Sequence, residues 1–190
     1  EEQRPDGRIR YSYDATGNLI GRTDLAGRTT RFTYDSRGLL TEIRYPDETV
    51  RFGYDAAGNM VEMQSPALTE RYRYDPLGRL IEVENVTLRK RLRYAYDVRG
   101  LRTRMVDPEG HTFAYEYDAL GRLVRFSDPL GGQTRFRYDP LSRLERLEYP
   151  NGVVTTFAFD RVSRLLELVS EGAKGRVLRP AYRYDAAGNP

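Results

Sequence analysis

The sequence predicts an all-β fold made of tandem antiparallel β-hairpin repeats of about 21 residues each. Three features predict it. One short motif recurs nine times in near-constant register along the chain. Aromatic residues stand two apart around each copy, which places both rings on one face of a strand. Turn-forming Gly and Pro recur roughly every ten residues, a spacing that suits short strands and leaves no room for helices.

The motif is an aromatic residue followed by Asp, two variable residues, a small residue, a polar residue and usually an apolar one. Its copies begin at Tyr13-Asp14, Tyr34-Asp35, Tyr54-Asp55, Tyr74-Asp75, Tyr96-Asp97, Tyr117-Asp118, Tyr138-Asp139, Phe159-Asp160 and Tyr184-Asp185. Two residues before each stands a second aromatic: Tyr11, Phe32, Phe52, Tyr72, Tyr94, Tyr115, Phe136, Phe157 and Tyr182. The residue between the rings is usually polar, as at Arg73, Glu116 and Arg137, which is the alternation of a half-buried strand. The Asp then starts a turn, where its carboxylate can accept a hydrogen bond from the backbone two residues on. Four residues after the aromatic comes Gly: Gly17, Gly38, Gly58, Gly78, Gly100, Gly121 and Gly188, with Ser142 and Ser163 in its place in two copies. Gly there predicts a positive φ, as in a type I turn closed by a bulge. The two serine copies are expected to have altered or strained turns.

The return strand carries apolar residues at fixed offsets. Nine residues after the aromatic stand Ile43, Met63, Val83, Met105, Phe126, Leu147 and Leu168, with Arg22 the exception. Two residues earlier are Ile20, Val61, Ile81, Val124 and Leu166. This set is expected to pack with the aromatic pairs. A second turn follows, reading Asp107-Pro108-Glu109-Gly110, Asp128-Pro129-Leu130-Gly131 and Tyr149-Pro150-Asn151-Gly152, with looser forms at Tyr45-Pro46-Asp47 and Ser65-Pro66. Pro pre-sets φ at the second turn position. Each unit is then strand, Asp/Gly turn, strand, Pro/Gly turn, and nine units predict roughly 16 to 18 strands. The long last interval, with Glu171-Gly172-Ala173-Lys174-Gly175-Arg176, reads as a longer turn. With no linker elsewhere, residues 1–190 read as a single array.

Composition narrows the function. Hydrophobic residues make up 39% of the 190, low for a globular domain and suited to one thin layer of buried side chains. The 15 Tyr and 7 Phe set the chain apart from disordered sequences. Basic and acidic residues, 31 and 28, are interspersed to a net +3, so no nucleic-acid partner is expected. The absence of Cys excludes disulfides, thiolate catalysis and Cys-based zinc sites. No apolar stretch is long enough for a membrane span, and the chain carries no targeting signal.

The nine motif Asp residues are the obvious candidates for acid/base or metal chemistry. One identical turn-capping role accounts for all of them, whereas catalysis needs unlike environments that split pKa values. His111 is the only histidine and lacks partners for a zinc site or a triad; its place after the Asp107 turn suggests a solvent-facing strand start. Gly131-Gly132 is a turn and not a phosphate loop. No catalytic, metal or cofactor residues follow, and no enzyme activity is expected. The Tyr/Arg combination can bind sugars or stack bases. A cross-strand aromatic ladder is the favoured reading, because it needs rings in every copy and a discrete site needs only a few.

The string Tyr-Asp-x-x-Gly-Asn/Arg-Leu, with interleaved Asp-Pro-x-Gly, resembles the YD repeat of Rhs proteins, from about Tyr11 to Asn189. The same repeat occurs in the C components of bacterial insecticidal toxin complexes and in teneurins. The resemblance implies a curved, spiralling single sheet, a segment of a hollow β-shell that encapsulates a C-terminal toxin in bacterial members. Its partners would be the remainder of its own repeat shell and the enclosed toxin domain, in a protein exported or secreted as part of a larger bacterial polypeptide. The core-terminal self-cleaving segment and the toxin of bacterial members are not recognised in this sequence. The chain is therefore expected to be an array truncated at both ends, with edge-to-edge self-association as its liability. The alternative from a different class is an extracellular carbohydrate-binding or adhesion repeat module, with glycans as partners of the Tyr/Arg face.

Overall fold

The computed structural model describes residues 2–4 and 7–185, so Gly188 of the ninth motif lies outside the described residues. The described residues form β-strands and turns with no helix. Two compact units divide the chain, one up to Arg93 and one from Tyr94.

The first unit holds β1 (Glu2–Arg4), β2 (Gly7–Tyr13), β3 (Leu19–Thr23), β4 (Thr29–Tyr34), β5 (Leu40–Arg44), β6 (Thr49–Tyr54), β7 (Met60–Gln64), β8 (Thr69–Tyr74) and β9 (Leu80–Asn85). It ends within β10 (Lys90–Tyr96). Each strand pairs antiparallel with the next. The second unit holds β11 (Arg102–Val106), β12 (Thr112–Tyr117), β13 (Leu123–Ser127), β14 (Gln133–Tyr138), β15 (Leu144–Glu148), β16 (Val154–Phe159), β17 (Leu165–Gly172) and β18 (Gly175–Leu178). It repeats the same meander.

Register explains why these residues form strands. Except at Tyr11, which faces Arg22, the first ring of the pair lies opposite an apolar residue of the return strand in the first unit: Phe32 opposite Ile43, Phe52 opposite Met63, Tyr72 opposite Val83. In the second unit Tyr115 faces Phe126, Phe136 faces Leu147 and Phe157 faces Leu168. Such directly opposed pairs are the unit of sheet stabilisation, about 0.2–1 kcal/mol each. Tyr115 and Phe126 have ring centroids 5.4 Å apart, and Phe113 stacks on Phe126 at 6.1 Å. One face of each unit is therefore apolar. The other carries Arg, Glu and Thr.

The apolar face is one side chain deep. Among the described residues only Ile9, Gly21 and Thr155 are buried, and the rings are mostly half-buried. Truncating Phe136 should thus cost less than the roughly 3–5 kcal/mol of a fully buried ring.

Turn length sets the repeat length. Most hairpins close by the same two backbone bonds, as in Asp75 N–H to Arg79 O (2.9 Å) and Gly78 N–H to Asp75 O (2.9 Å). The Asp107, Asp128 and Tyr149 turns close the same way, and so does Asp24-Leu25-Ala26-Gly27, which has no Pro to mark it. The turns at Tyr45 and Ser65 close one residue sooner, onto Glu48 and Leu68. These are the two intervals of 20 residues between motifs. The last interval differs from expectation. The extra residues lengthen the arms of the hairpin, and the connection itself is only Ala173-Lys174. Beyond β18 the chain returns to β17, with Leu168 N–H donating to Pro180 O (3.1 Å) and Tyr182 N–H to Leu166 O (2.8 Å).

Candidate functional site: the turns that join successive repeats

Every motif Asp in a closed turn of the described residues occupies one geometry. Oδ1 of Asp118 accepts the backbone N–H of Leu120 (2.9 Å) and of Arg122 (3.0 Å), while Oδ2 accepts Arg122 Nε (2.7 Å). Asp75, Asp139 and Asp160 repeat this with Arg79, Arg143 and Arg164. Asp14 and Asp55 bind an Asn side chain instead, Asn18 and Asn59. Asp35 and Asp97 bind an arginine two residues on, Arg37 and Arg99. These bonds favour the charged form and lower the carboxyl pKa. The Thr16 hydroxyl, with the Asn18 backbone N–H, brings Asp14 to about 2. The Arg122 side chain does most to lower Asp118, and the Arg164 backbone N–H does most for Asp160.

In the described copies the small residue after the Asp has positive φ: 79° at Gly38, 74° at Gly78, 78° at Gly121. Ser142 and Ser163 adopt it too, at 62° and 68°. The ladder slips by one residue beside each turn, so Tyr74 faces Leu80 while Arg73 faces Glu82. Ile81 is the extra residue of this bulge.

Consecutive repeats are tied by the motif tyrosines. The hydroxyl of Tyr34 donates to the Leu19 carbonyl of the preceding repeat (3.0 Å) and that of Tyr54 to Leu40 O (2.8 Å). Tyr74 bonds Met60 O (2.9 Å), Tyr117 bonds Arg102 O (2.9 Å), Tyr138 bonds Leu123 O (2.9 Å) and Tyr184 bonds Leu165 O (2.8 Å). Burial raises the phenol pKa of Tyr54, Tyr74, Tyr117 and Tyr138. Tyr13 begins the series and is 59% exposed. Phe159 has no hydroxyl to offer.

Arginine makes the second tie. Arg122 lies over the Tyr138 ring at 4.7 Å, Arg143 over Phe159 at 4.9 Å and Arg164 over Tyr184 at 4.7 Å. Arg122 Nη1 also donates to Ser142 Oγ (3.1 Å), and Arg143 Nη1 to the Asp160 carbonyl (3.0 Å). Where the fifth position after the aromatic is Leu, as at Leu39 and Leu101, Arg37 and Arg99 bridge instead. They donate to Asp55 O (2.7 Å) and Asp118 O (2.8 Å). One guanidinium thus caps its own turn and reaches the next.

Sequence reasoning missed both ties. A signal for the first was present. The motif aromatic is Tyr in every copy but Phe159, while the preceding ring is Phe at four positions: Phe32, Phe52, Phe136 and Phe157. A hydroxyl is needed at one place and dispensable at the other. The second left a trace as well, since Arg stands third after the aromatic only where Leu stands fifth.

The remaining candidates sit in turns. His111 Nδ1 lies 2.8 Å from Asp107 Oδ2, in the place Arg28 takes on Asp24, and is exposed. Gly132 N–H, with Leu130 N–H, bonds the Asp128 carboxylate. Among the described residues no three His, Asp or Glu converge as metal ligands, and no helix is long and apolar enough to cross a membrane.

The Teneurin YD-shell family model matches residues 48–189, and the RHS Repeat model matches residues 2–29 and 13–50. No curated protein sequence matches. Among solved structures, the TcdB2-TccC3-TEV crystal structure superposes with a TM-score of 0.83 at 15% identity over 98% of this chain. The TcdB2-TccC3-Cdc42 crystal structure gives 0.80 at 16% identity over 97%. A Photorhabdus luminescens Tc holotoxin pore structure, with a substitution in TccC3, gives 0.80 at 16% over 97%. The chain spans 11% of the length of each of these chains. With a family model matched over most of its length and the motif geometry repeated turn after turn, the chain belongs to the YD-shell family of RHS-type repeats.

Proposed function

We propose that this chain is a segment of the wall of a Rhs-type hollow β-shell that encloses a C-terminal toxin domain, within a larger exported bacterial protein. The observation that carries the reading is the tyrosine tie. Six motif tyrosines donate their hydroxyl to a carbonyl of the repeat before, which supports an array that extends as a single layer by repeating one joint. A wall needs that property, and a discrete binding site does not. The motif carboxylates of the closed turns each bond their own turn's backbone and a nearby Asn or Arg side chain, which supports a structural role over catalysis. The carbohydrate-binding alternative needs guanidinium groups open beside the rings. Arg122, Arg143 and Arg164 lie on the rings and cap their own turns. The partners of such a wall are the rest of its own shell and the enclosed toxin.

The test is protease protection. The complete polypeptide containing this segment would be digested with and without Tyr138→Ala and Tyr184→Ala, following its C-terminal domain. Survival of that domain in the unsubstituted protein and faster loss in the variant is expected. Digestion at the rate of the isolated domain in both would overturn the reading.

A further inference from the structure

The polar face of the sheet is not uniformly neutralised. In the first unit, Arg71 and Arg73 on β8 and Arg91 and Arg93 on β10 all find carboxylates. Arg71 pairs with Glu62 (2.9 Å), Arg73 with Glu82 (3.6 Å), Arg91 with Glu84 (2.7 Å) and Arg93 with Glu82 (3.0 Å). Glu82 and Glu84 stand two apart on β9, on one face, between two Arg-x-Arg strands.

The second unit has the same Arg-x-Arg pattern at Arg135 and Arg137 on β14, without the Glu-x-Glu neighbour. Arg125 of β13 lies directly opposite Arg135, and Arg146 of β15 lies directly opposite Arg137. Like charges directly opposite destabilise a sheet. Of the glutamates beside these four arginines, Glu116, Glu145 and Glu148, two pair with them. Glu116 holds Arg125 (3.0 Å), and Glu148 is shared by Arg146 (2.8 Å) and Arg137 (3.5 Å). Arg135 lies directly opposite Glu148, close enough for its charge to act on that carboxylate, but its own hydrogen bond is a weak one to Gln133 Oε1 (3.3 Å). Arg125 Nε is shut off from solvent with no hydrogen-bond partner. Beside the block runs a cleft of about 320 Å³ lined by Arg137, Arg146 and Thr156. Two acids line it as well: Glu145, which is exposed, and Glu167, which is held by Arg179.

We propose that this arginine block is a docking surface for an extended acidic polypeptide segment with carboxylates on alternate residues. Among the described residues Arg135 has no carboxylate in ion-pair range and Arg137 only a share of Glu148, so two guanidinium groups are left to receive anionic groups. Arg135 and Arg137 are two residues apart on a strand, about 6.7 Å. That is the repeat of same-side side chains in any extended peptide, as Glu82 and Glu84 show within this fold. The planar guanidinium fork matches a carboxylate in two-bond geometry. The surface works whether or not the array closes into a shell, so its failure is separate from that of the wall reading.

The test uses the whole chain and an acetylated octapeptide of alternating Glu and Thr, with its Gln-Thr counterpart, a heparin oligosaccharide and oligo-dT as comparison probes. Fluorescence anisotropy at low salt should show binding of the Glu-Thr peptide and none of the Gln-Thr peptide. Arg135→Gln with Arg137→Gln should weaken it at least about tenfold. Arg71→Gln with Arg73→Gln, in the neutralised block, should leave it unchanged. Removing opposed like charges should keep the melting temperature of the Arg135/Arg137 variant at or above that of the parent, which separates lost binding from lost folding. Absence of Glu-Thr binding would overturn the proposal. So would equal loss in both variants, or tighter binding of heparin or oligo-dT.

Discussion

Ser142 shows how much one atom can do at a turn. Its φ of 62° belongs to the region where a side chain costs about 1–2 kcal/mol. Glycine fills the equivalent position in most copies without that cost. The Ser142 hydroxyl, however, accepts Arg122 Nη1 from the preceding repeat, and Ser163 stands in the same relation to Arg143. Strain at the turn is offset by a bond to the neighbour. Two substitutions separate the effects. Ser142→Ala keeps the strain and loses the bond, so it should lower stability by about 0.5–1.5 kcal/mol. Ser142→Gly loses the bond but relieves the strain, and should be the more stable of the two in urea denaturation. The reverse order would mean that the hydroxyl contact is idle. The substitution of Gly by Ser was legible in the sequence as a strained turn. Its compensation was not, because the arginine stands 20 residues away and reaches across a register that only pairing defines.

At the scale of the element, the hairpin follows from local chemistry. Asp caps the turn, the next small residue takes positive φ, and the bulge re-aims the return strand so that ring and apolar residue meet. Gly78, with φ of 74°, has no clash to fear from a side chain, since its nearest neighbour is Asn59 Oδ1 at 3.9 Å from an added Cβ. Gly78→Val should therefore destabilise through the backbone alone, by more than about 1 kcal/mol. An unchanged denaturation midpoint would count against the turn assignment. These parts were readable because they depend on residues within ten positions of each other. The number of strands and the all-β class follow from the same local signals. The last hairpin was misread, because Gly172 and Gly175 look like a long loop until the pairing of β17 shows strand on both sides. The turn at Asp24 was passed over because it lacks the proline of its fellows.

At the scale of the whole molecule, many equal small terms replace a core. Their titration gives a pH signature. The folded-state pKa of Asp14 is held to about 2 against an ordinary 3.8, and Asp35, Asp55, Asp75, Asp97, Asp118, Asp139 and Asp160 are lowered as well. A lowered carboxyl pKa contributes stability that is present above the unfolded value and lost as pH falls through the folded one. Stability should therefore fall from about pH 4 downward toward pH 2. Tyr72 moves the other way. Burial, then the hydrogen bond to Glu70, raises its phenol to about 12 from 10.0. Its contribution is present below pH 10 and lost as pH rises toward 12. Thermal unfolding across pH should show a broad plateau that falls at both ends, and a midpoint unchanged at pH 2 would contradict the carboxylate account. The single sheet layer was foreshadowed by the low apolar content. The joint between repeats was not, since a tyrosine in a strand looks the same whether its hydroxyl is tied or free.

That joint is the centre of the account, and a reciprocal pair of substitutions tests it most directly. Tyr138→Phe removes only the hydroxyl that binds Leu123 O, while Phe159→Tyr adds one where the series has a gap, with the Leu144 carbonyl the equivalent acceptor by position in the repeat. Equilibrium denaturation should show a loss of about 0.5–1.5 kcal/mol for the first and a smaller gain for the second. Tyr115→Phe, at the position where Phe already alternates with Tyr, should stay within about 0.5 kcal/mol of the parent. Equal effects at Tyr138 and Tyr115, or destabilisation by Phe159→Tyr, would contradict the claim that the motif tyrosine hydroxyl ties a repeat to the one before.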